Sequence, residues 1–271
     1  MLEREARLQL LERGARGVRL TEAGRLVLLR AEEILAGVSA LRAELDDLAG
    51  LRAGHLRMGA FPTAGARLLP RAVAAFRARH PHVGLDLIEA DPDDALARLA
   101  ARELDVALVY HFDQYDEPRD ARHAEVELLT DELRVVLPSG HRLAGRRRIE
   151  LAELALDSWV QGVRHGSTLD VLPAACQAAG FDPRIAFRTD DIMGVQGFVA
   201  AGLGVALISQ LALPLFREDV AVRTLRPALR RSVGAALARQ GDQPPAVAAM
   251  LDVLTSTSAE LLQGTAGGPR V

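Results

Sequence analysis

Residues 178–209, AAGFDPRIAFRTDDIMGVQGFVAAGLGVALIS, constrain the fold more than any other stretch, because they spell a strand, a helix and a second strand in immediate succession. Gly180 ends the preceding helix at Ala179, and Pro183 forbids its continuation. Arg184–Arg188 then reads as a short strand with Ile185 and Phe187 on one face. Thr189 or Asp190 is placed to cap a new helix, whose apolar positions Ile192, Val195, Phe198 and Val199 recur at helical spacing. Gly202 and Gly204 stop that helix, and Val205–Ile208 is an apolar run suited to a buried parallel strand. The unit is one right-handed βαβ crossover. In such units the helix N-terminus, with its unpaired N–H groups, lies beside the carboxyl ends of the strands, where open α/β sheets bind ligands.

An earlier stretch alternates in the same way. Leu56–Ala60 is a strand, Ala66–Arg79 a helix buried through Leu69, Ala72, Val73 and Phe76, and Val83–Glu89 a second strand. Asp91 opens the next helix, with Leu96 and Leu99 inward, and Asp105–Tyr110 is a third strand, so the order βαβαβ gives a parallel sheet with covering helices. Leu133–Pro138 is another strand, and the Ser139-Gly140 turn is the expected crossing into a second lobe that holds residues 178–209. Ser232–Ala238 reads as a return strand and Ala246–Leu262 as a helix closing on the first lobe. The fold class is therefore α/β with two similar lobes: residues 54–138 plus 233–264, and residues 139–232, followed by a Gly-rich tail at 265–271 with nothing to bury.

Two further units precede the lobes. Within residues 1–20, LLERGARGVRL at 10–20 reads as a hairpin turning at Gly14 and Gly17, with Val18 and Leu20 on one face and Arg16 and Arg19 on the other. Residues 21–53 form one long helix and a hinge-like AGLRAG, with Thr21 as N-cap and no Pro until Pro62. Gly24, Ala31, Val38 and Leu45 make one heptad series; Val27, Ile34, Leu41 and Leu48 make a second, offset by three. Such a narrow seam asks for a partner helix, so homodimerisation through Val27, Ile34, Val38, Leu41, Leu45 and Leu48 is expected, with dimer or tetramer left open.

Composition limits the chemistry. No apolar run reaches membrane-spanning length and the first residues lack a secretory h-region, so no membrane partner and a cytoplasmic location are expected. Every basic residue is Arg, and the formal net charge of −3 removes any whole-chain argument for nucleic acid. Locally, however, Arg13, Arg16, Arg19 and Arg25 stand against Glu22 alone. The histidines are scattered singly, and no HExxH, CxxC, Walker A or GxSxG pattern occurs, so neither an enzyme nor a metal or other cofactor is expected. Cys176, in LPAACQAAG, reads as a small core residue.

A binding cleft has better support. The strand ends at Phe61–Thr63, Ala90–Asp91 and Tyr110–His111 fall on one rim. Pro62-Thr63 opens a turn there, and Thr63, at the start of the helix that follows, offers a hydroxyl beside N–H donors. Asp91, Asp190 and Asp191 can serve either as helix caps or as ligand contacts. From the second lobe, the loop Gly162–Thr168 faces the cleft, and its Arg164 and His165 are suited to an acidic group. Helix N-termini favour an anion and the aspartates oppose one, so ligand charge stays open.

The chain resembles the LysR-type transcriptional regulators. The resemblance is carried by ERGARGVRLTEAG at 12–24, LLPRAVAAFRARHPHVGLDLIE at 68–89, ARELDVALV at 101–109, LRVVLPSGHRLA at 133–144, AACQAAGFDPRIAF at 174–187 and VAAGLGVALI at 199–208, in that order. It implies a winged helix-turn-helix, a long dimerising linker helix, and an effector domain like the two-lobed (type 2) periplasmic binding proteins, holding a small-molecule effector. It also implies that Arg13, Arg16, Arg19 and Thr21, in and beside the wing, contact DNA. Only Met1–Leu11 precedes the wing, so most of the helix-turn-helix is missing from this sequence. A start placed too far downstream and a truncated sensing form both account for that, and the unaltered wing favours the first. The competing functional reading is an effector-binding, dimerising module without sequence-specific DNA binding.

Overall fold

A computed structural model describes residues 2–6, 8–14, 17–28, 30, 31, 34, 55–112, 123–162, 167–238 and 244–265. A short helix α1 (Leu2–Ala6) leads into an antiparallel hairpin of β1 (Leu11–Gly14) and β2 (Gly17–Leu20), in which Arg13 pairs with Val18 and Arg19 with Glu12 along the backbone. The hairpin expected over 10–20 is thus present; Arg16 lies outside the described residues. Helix α2 follows over residues 22–28 and is still helical at 30, 31 and 34. Thr21 caps it: its hydroxyl accepts from Gly24 N at 2.9 Å and donates to Gln9 O at 2.7 Å. Thr21 thus serves as the helix cap beside the wing.

The first-lobe sheet is built as the alternation predicts. Strand β3 (His55–Ala60), helix α3 (Pro62–Arg79), β4 (Gly84–Glu89), α4 (Pro92–Ala100) and β5 (Val106–Phe112) give β3 parallel to both β4 and β5. Alternating residues of β5 divide between two cores. Val106, Leu108, Tyr110 and Phe112 join the large core, which also takes in Phe76 of α3 and Met250 of the last helix. Ala107 and Val109 pack on the other side with Ala95 and Leu99 of α4.

The lobes are joined by β6 (His123–Pro138), a continuous 16-residue strand. Residues from His123 to Glu132 pair antiparallel with β12 (Arg230–Ala238), while Leu133 to Val136 pair with β10 (Ala206–Ser209) and Arg134 to Pro138 with β11 (Val220–Arg226). The expected crossing at Ser139-Gly140 is therefore displaced into β6, between Glu132 and Leu133. The inward alternation of Leu129, Asp131, Leu133, Val135 and Leu137 runs unbroken through that point, so nothing there makes the strand turn. The return crossing is the β11–β12 connection, where Leu133 N donates to Leu229 O at 2.9 Å.

The second lobe adds β7 (Arg148–Glu150), β8 (Ser158–Gln161), α5 (Ser167–Ala178), β9 (Arg184–Arg188) and α6 (Ile192–Ala200). Strand β8 runs parallel to β9 and bridges in parallel to Val205. The parallel character expected of Val205–Ile208 holds at Val205 alone, because Ala206–Ser209 turns to pair antiparallel with β6. Gly202 adopts φ +75°, the left-handed conformation a helix stop requires, and a Cβ on Gly204 would come within 2.8 Å of Ser158 O. Helix α7 (Pro245–Thr265) packs on α3 and β6, and residues 266–271 lie outside the described residues. No described helix is long and apolar enough to cross a membrane.

Candidate functional site

A cleft of about 210 Å³ opens between the lobes. The first lobe contributes Phe61, Pro62, Thr63, Asp91, Tyr110, Phe112 and, from β12, Arg231; β8, α5, α6 and β10 supply the opposite wall, with Val160, Leu172, Val195 and Ile208 among its apolar residues. Six residues picked out from the sequence, Pro62, Thr63, Asp91, Tyr110, Gly162 and Asp190, meet there although they come from five separate segments.

Two others do not. His111 sits one position along β5 from Tyr110, so the pleat turns it to the opposite face, where its Nε2 lies 3.0 Å from Glu125 Oε2. Asp191 is the N-cap of α6: its carboxylate oxygens accept from Met193 N at 3.0 Å and Gly194 N at 3.1 Å. The cap expected of Thr189 or Asp190 therefore belongs to Asp191, and Thr189 and Asp190 line the cleft instead. Arg164 and His165 lie outside the described residues.

The capping also decides which helix end can receive a ligand. The donors of α6 are occupied by Asp191, whereas α3 has no side-chain cap. At the start of α3, Pro62 has no N–H, Ala64 N and Gly65 N both donate to Phe61 O, and Thr63 N makes no hydrogen bond among the described residues. At the first-lobe rim the starts of both α3 and α4 lack a side-chain cap, unlike the helix start in residues 178–209.

Beside Thr63 lies a buried ion pair that sequence reasoning misses. Arg231 and Asp131 face each other in the β12–β6 register, with side chains 5% and 1% exposed. Arg231 Nε donates to Asp131 Oδ2 at 2.8 Å, and Arg231 Nη2 donates to Thr63 Oγ1 at 2.6 Å. Asp131 also accepts from Ser209 Oγ at 2.6 Å and Leu211 N at 3.2 Å. The guanidinium carbon stands 4.3 Å from the Tyr110 ring centroid and 4.9 Å from that of Phe61, two rings that pack edge to face. A continuous polar relay thus runs from Thr63 in the first lobe through the hinge strands to Ser209 in the second. Its signal in the sequence is period two: Arg231 precedes Val233 and Ala235, and Asp131 precedes Leu133 and Val135, so each charge occupies an inward position.

At the N-terminal end, Val27 is half-buried and Ile34 is 65% exposed, while Val38, Leu41, Leu45 and Leu48 lie outside the described residues. Gly24 does not fit a seam position: a Cβ there would collide with Leu10 O, so it packs against the segment leading into the hairpin. Cys176 is fully buried, and burial, aided by Asp182, pushes its thiol up to about 12. Among the described residues no group of His, Cys, Asp and Glu is arranged to hold a metal ion.

Residues 49–259 match the family model described as the LysR substrate binding domain. The chain is 30% identical over 260 residues to a probable HTH-type transcriptional regulator, LrrA, of Synechococcus elongatus, covering 96% of this chain and 86% of that protein. It is 34% identical over 265 residues to an SDS degradation transcriptional activation protein of a Pseudomonas species, covering 95% and 85% respectively. The C-terminal domain of a probable LysR family regulator from a Rhodococcus species superposes with a TM-score of 0.64 at 28% identity, covering 75% of this chain and 99% of that one. The two lobes, with their mixed sheet and hinge strands, have the periplasmic-binding-protein-like architecture of such effector domains.

Proposed function

Since the chain belongs to the LysR family of transcriptional regulators, we propose that it binds a small-molecule effector between its lobes and regulates transcription as a DNA-binding homodimer or tetramer in the cytoplasm. The cleft carries this reading, because its walls come from both lobes and, among the described residues, two hinge segments join them. Pro62, Thr63, Asp91, Tyr110, Gly162 and Asp190 contact the effector, together with Arg231; Arg164 and His165 belong to the same proposal through the loop after Gly162. Closing the lobes on a ligand changes the angle at the hinge and shifts the population between assembly states, which requires the ligand to contact those states differently. The helix carrying Val27, Ile34, Val38, Leu41, Leu45 and Leu48 joins two copies, and wing residues Arg13, Arg16 and Arg19 contact phosphates.

A thermal-shift screen of small metabolites on the wild type and on Val195→Trp, which fills the cleft, tests the sensing half. Compounds that stabilise the wild type and not the variant support it; stabilisation that is equal in both overturns it. A gel-shift titration across salt concentrations tests the DNA half. Salt-sensitive but sequence-blind binding, or none, favours a sensing and dimerising module without base readout.

A further inference from the structure

A second and larger cavity, of about 400 Å³, lies between α5 and the segment that returns from β11 to β12. Its floor is formed by Leu151, Val171, Leu225 and Leu229, each at most 7% exposed. Ala178 and Pro227, both exposed, mark its mouth. The space falls within the roughly 300–1,000 Å³ of small-molecule pockets and well above the approximately 150 Å³ that admits one benzene ring. A deep floor under a narrow mouth suits a small molecule better than the flat contact of a protein surface.

The lining decides the chemistry of what enters. Every side chain in it is leucine, valine, alanine or proline. The main chain there adds little, because its polar groups are largely engaged. Pro227 has no N–H, Leu229 O accepts from Leu133 N at 2.9 Å, Ala179 N donates to Ala175 O at 3.0 Å, and Leu225 pairs with Ile149 in the β11–β7 register. Water held inside would need several polar partners, and these groups are already taken. A charged ligand would lose its hydration with nothing to replace it.

Two links tie this space to the hinge. Val171 lines both the cleft and the second cavity, so α5 is a wall common to the two. Leu133 lines the cleft at the point where β6 passes from lobe to lobe, and its N–H is bonded to Leu229 O on the cavity floor. From this arrangement we propose that the cavity is a second small-molecule site, taking an uncharged hydrocarbon-like molecule of one or two rings. Its occupant, wedged between α5 and the β11–β12 return, holds that hinge segment against the second lobe and favours the lobe angle at which the cavity is open. The site is independent of whether an effector binds in the cleft.

The test uses the whole chain with toluene and naphthalene as probes and benzoate and benzylamine as charged counterparts, read by thermal shift and calorimetry. The proteins are the wild type, Ala175→Phe and Ala228→Leu, which fill the second cavity, and Val195→Trp, which fills the cleft. At least one hydrocarbon should bind saturably to the wild type and to Val195→Trp alike. Either filling variant should weaken it about tenfold or more, because the probe must displace a packed side chain; should one variant not fold, the other carries the comparison. Amide exchange at Leu133 should slow when the probe is bound. No saturable binding of either hydrocarbon overturns the proposal, as does binding that is lost in Val195→Trp and kept in the filling variants, which would assign the probe to the cleft. Benzoate or benzylamine displacing the hydrocarbon with equal affinity overturns the uncharged class. Binding that fades as the chain self-associates makes a second copy the occupant, and unchanged exchange at Leu133 in the bound protein overturns the link to the hinge.

Discussion

Replacing Asp131 with Asn tests whether the hinge depends on a desolvated ion pair. The change keeps size and shape, and its cost follows from the partners. With the amide oxygen in the place of Oδ2, Ser209 Oγ and Arg231 Nε keep their acceptor. The amide nitrogen then faces Leu211 N, donor against donor, at a position where the carboxylate accepted at 3.2 Å. Leu211 N retains Ser209 Oγ at 3.0 Å, so that loss is small. Most of the cost comes from the Arg231 charge, 5% exposed and left without its counterion. Breaking one side of a buried pair costs about 3–5 kcal/mol, which for a domain of this size lowers Tm by roughly 6–20 °C. Differential scanning calorimetry of the wild type, Asp131→Asn, Asp131→Leu, Arg231→Met and the double variant Asp131→Leu/Arg231→Met measures it. The double variant should lose much less than the sum of the singles, because no buried charge remains. An Asp131→Asn variant within about 1 kcal/mol of wild type, typical of exposed pairs, would refute the claim that this pair is desolvated.

Three further outcomes follow from the geometry. Gly204→Ala should destabilise by about 1–3 kcal/mol, as overpacking does, because its Cβ would meet the Ser158 carbonyl at 2.8 Å; urea unfolding reads this, and Gly140→Ala, with open space around it, serves as the control. Cys176, with its thiol raised to about 12, should resist a thiol reagent at pH 8 in the native protein, where only about one thiol in ten thousand is ionised, and should react fully in denaturant. For Asp105, burial opposes the charged form, but hydrogen bonds from the Arg57 side chain and N–H outweigh it and hold the carboxyl below the usual carboxylate range. Its stabilising effect is therefore fully present above the unfolded carboxylate value near pH 4 and is lost as pH falls through the lower folded value. Asp105→Asn should flatten the acid side of the stability profile below about pH 4, with a loss at neutral pH of no more than about 1 kcal/mol for a partly exposed pair.

How much of the molecule is legible in its sequence depends on whether a signal is local. The alternation of strands and helices from His55 to Phe112 follows from side-chain periodicity and end signals, and the strand Arg184–Arg188 has the expected bounds. The rim residues Thr63, Asp91 and Tyr110 can be found because strand ends in a parallel sheet share one side. What fails is one residue out of register or dependent on distant pairing. His111 does not accompany Tyr110, because a strand sends neighbours to opposite faces, and the cap falls to Asp191 because its carboxylate alone reaches Met193 N and Gly194 N. A turn such as Ser139-Gly140 is the natural place to expect a hinge, but the hinge lies inside β6, whose pairing changes partner with no change in its own pattern.

The relay from Thr63 to Ser209 shows why the most consequential residue is the least visible. Arg231 stands in a chain whose basic residues are all Arg, so its type carries no information; its position does, because a charge at an inward place in a strand is stable only opposite a partner. That partner is 100 residues away in sequence, and the two become neighbours only when β12 returns from the second lobe to lie beside β6. The return is the same step that makes the cleft. A pair that forms only on lobe assembly, and that leaves donors facing the cleft, ties the stability of the hinge to the state of the ligand seat. Asp131→Asn should therefore lower affinity for a cleft ligand as well as Tm, by loosening the guanidinium that Asp131 orients. Affinity unchanged in a variant that has lost several kcal/mol of stability would separate the two roles and confine Asp131 to the hinge.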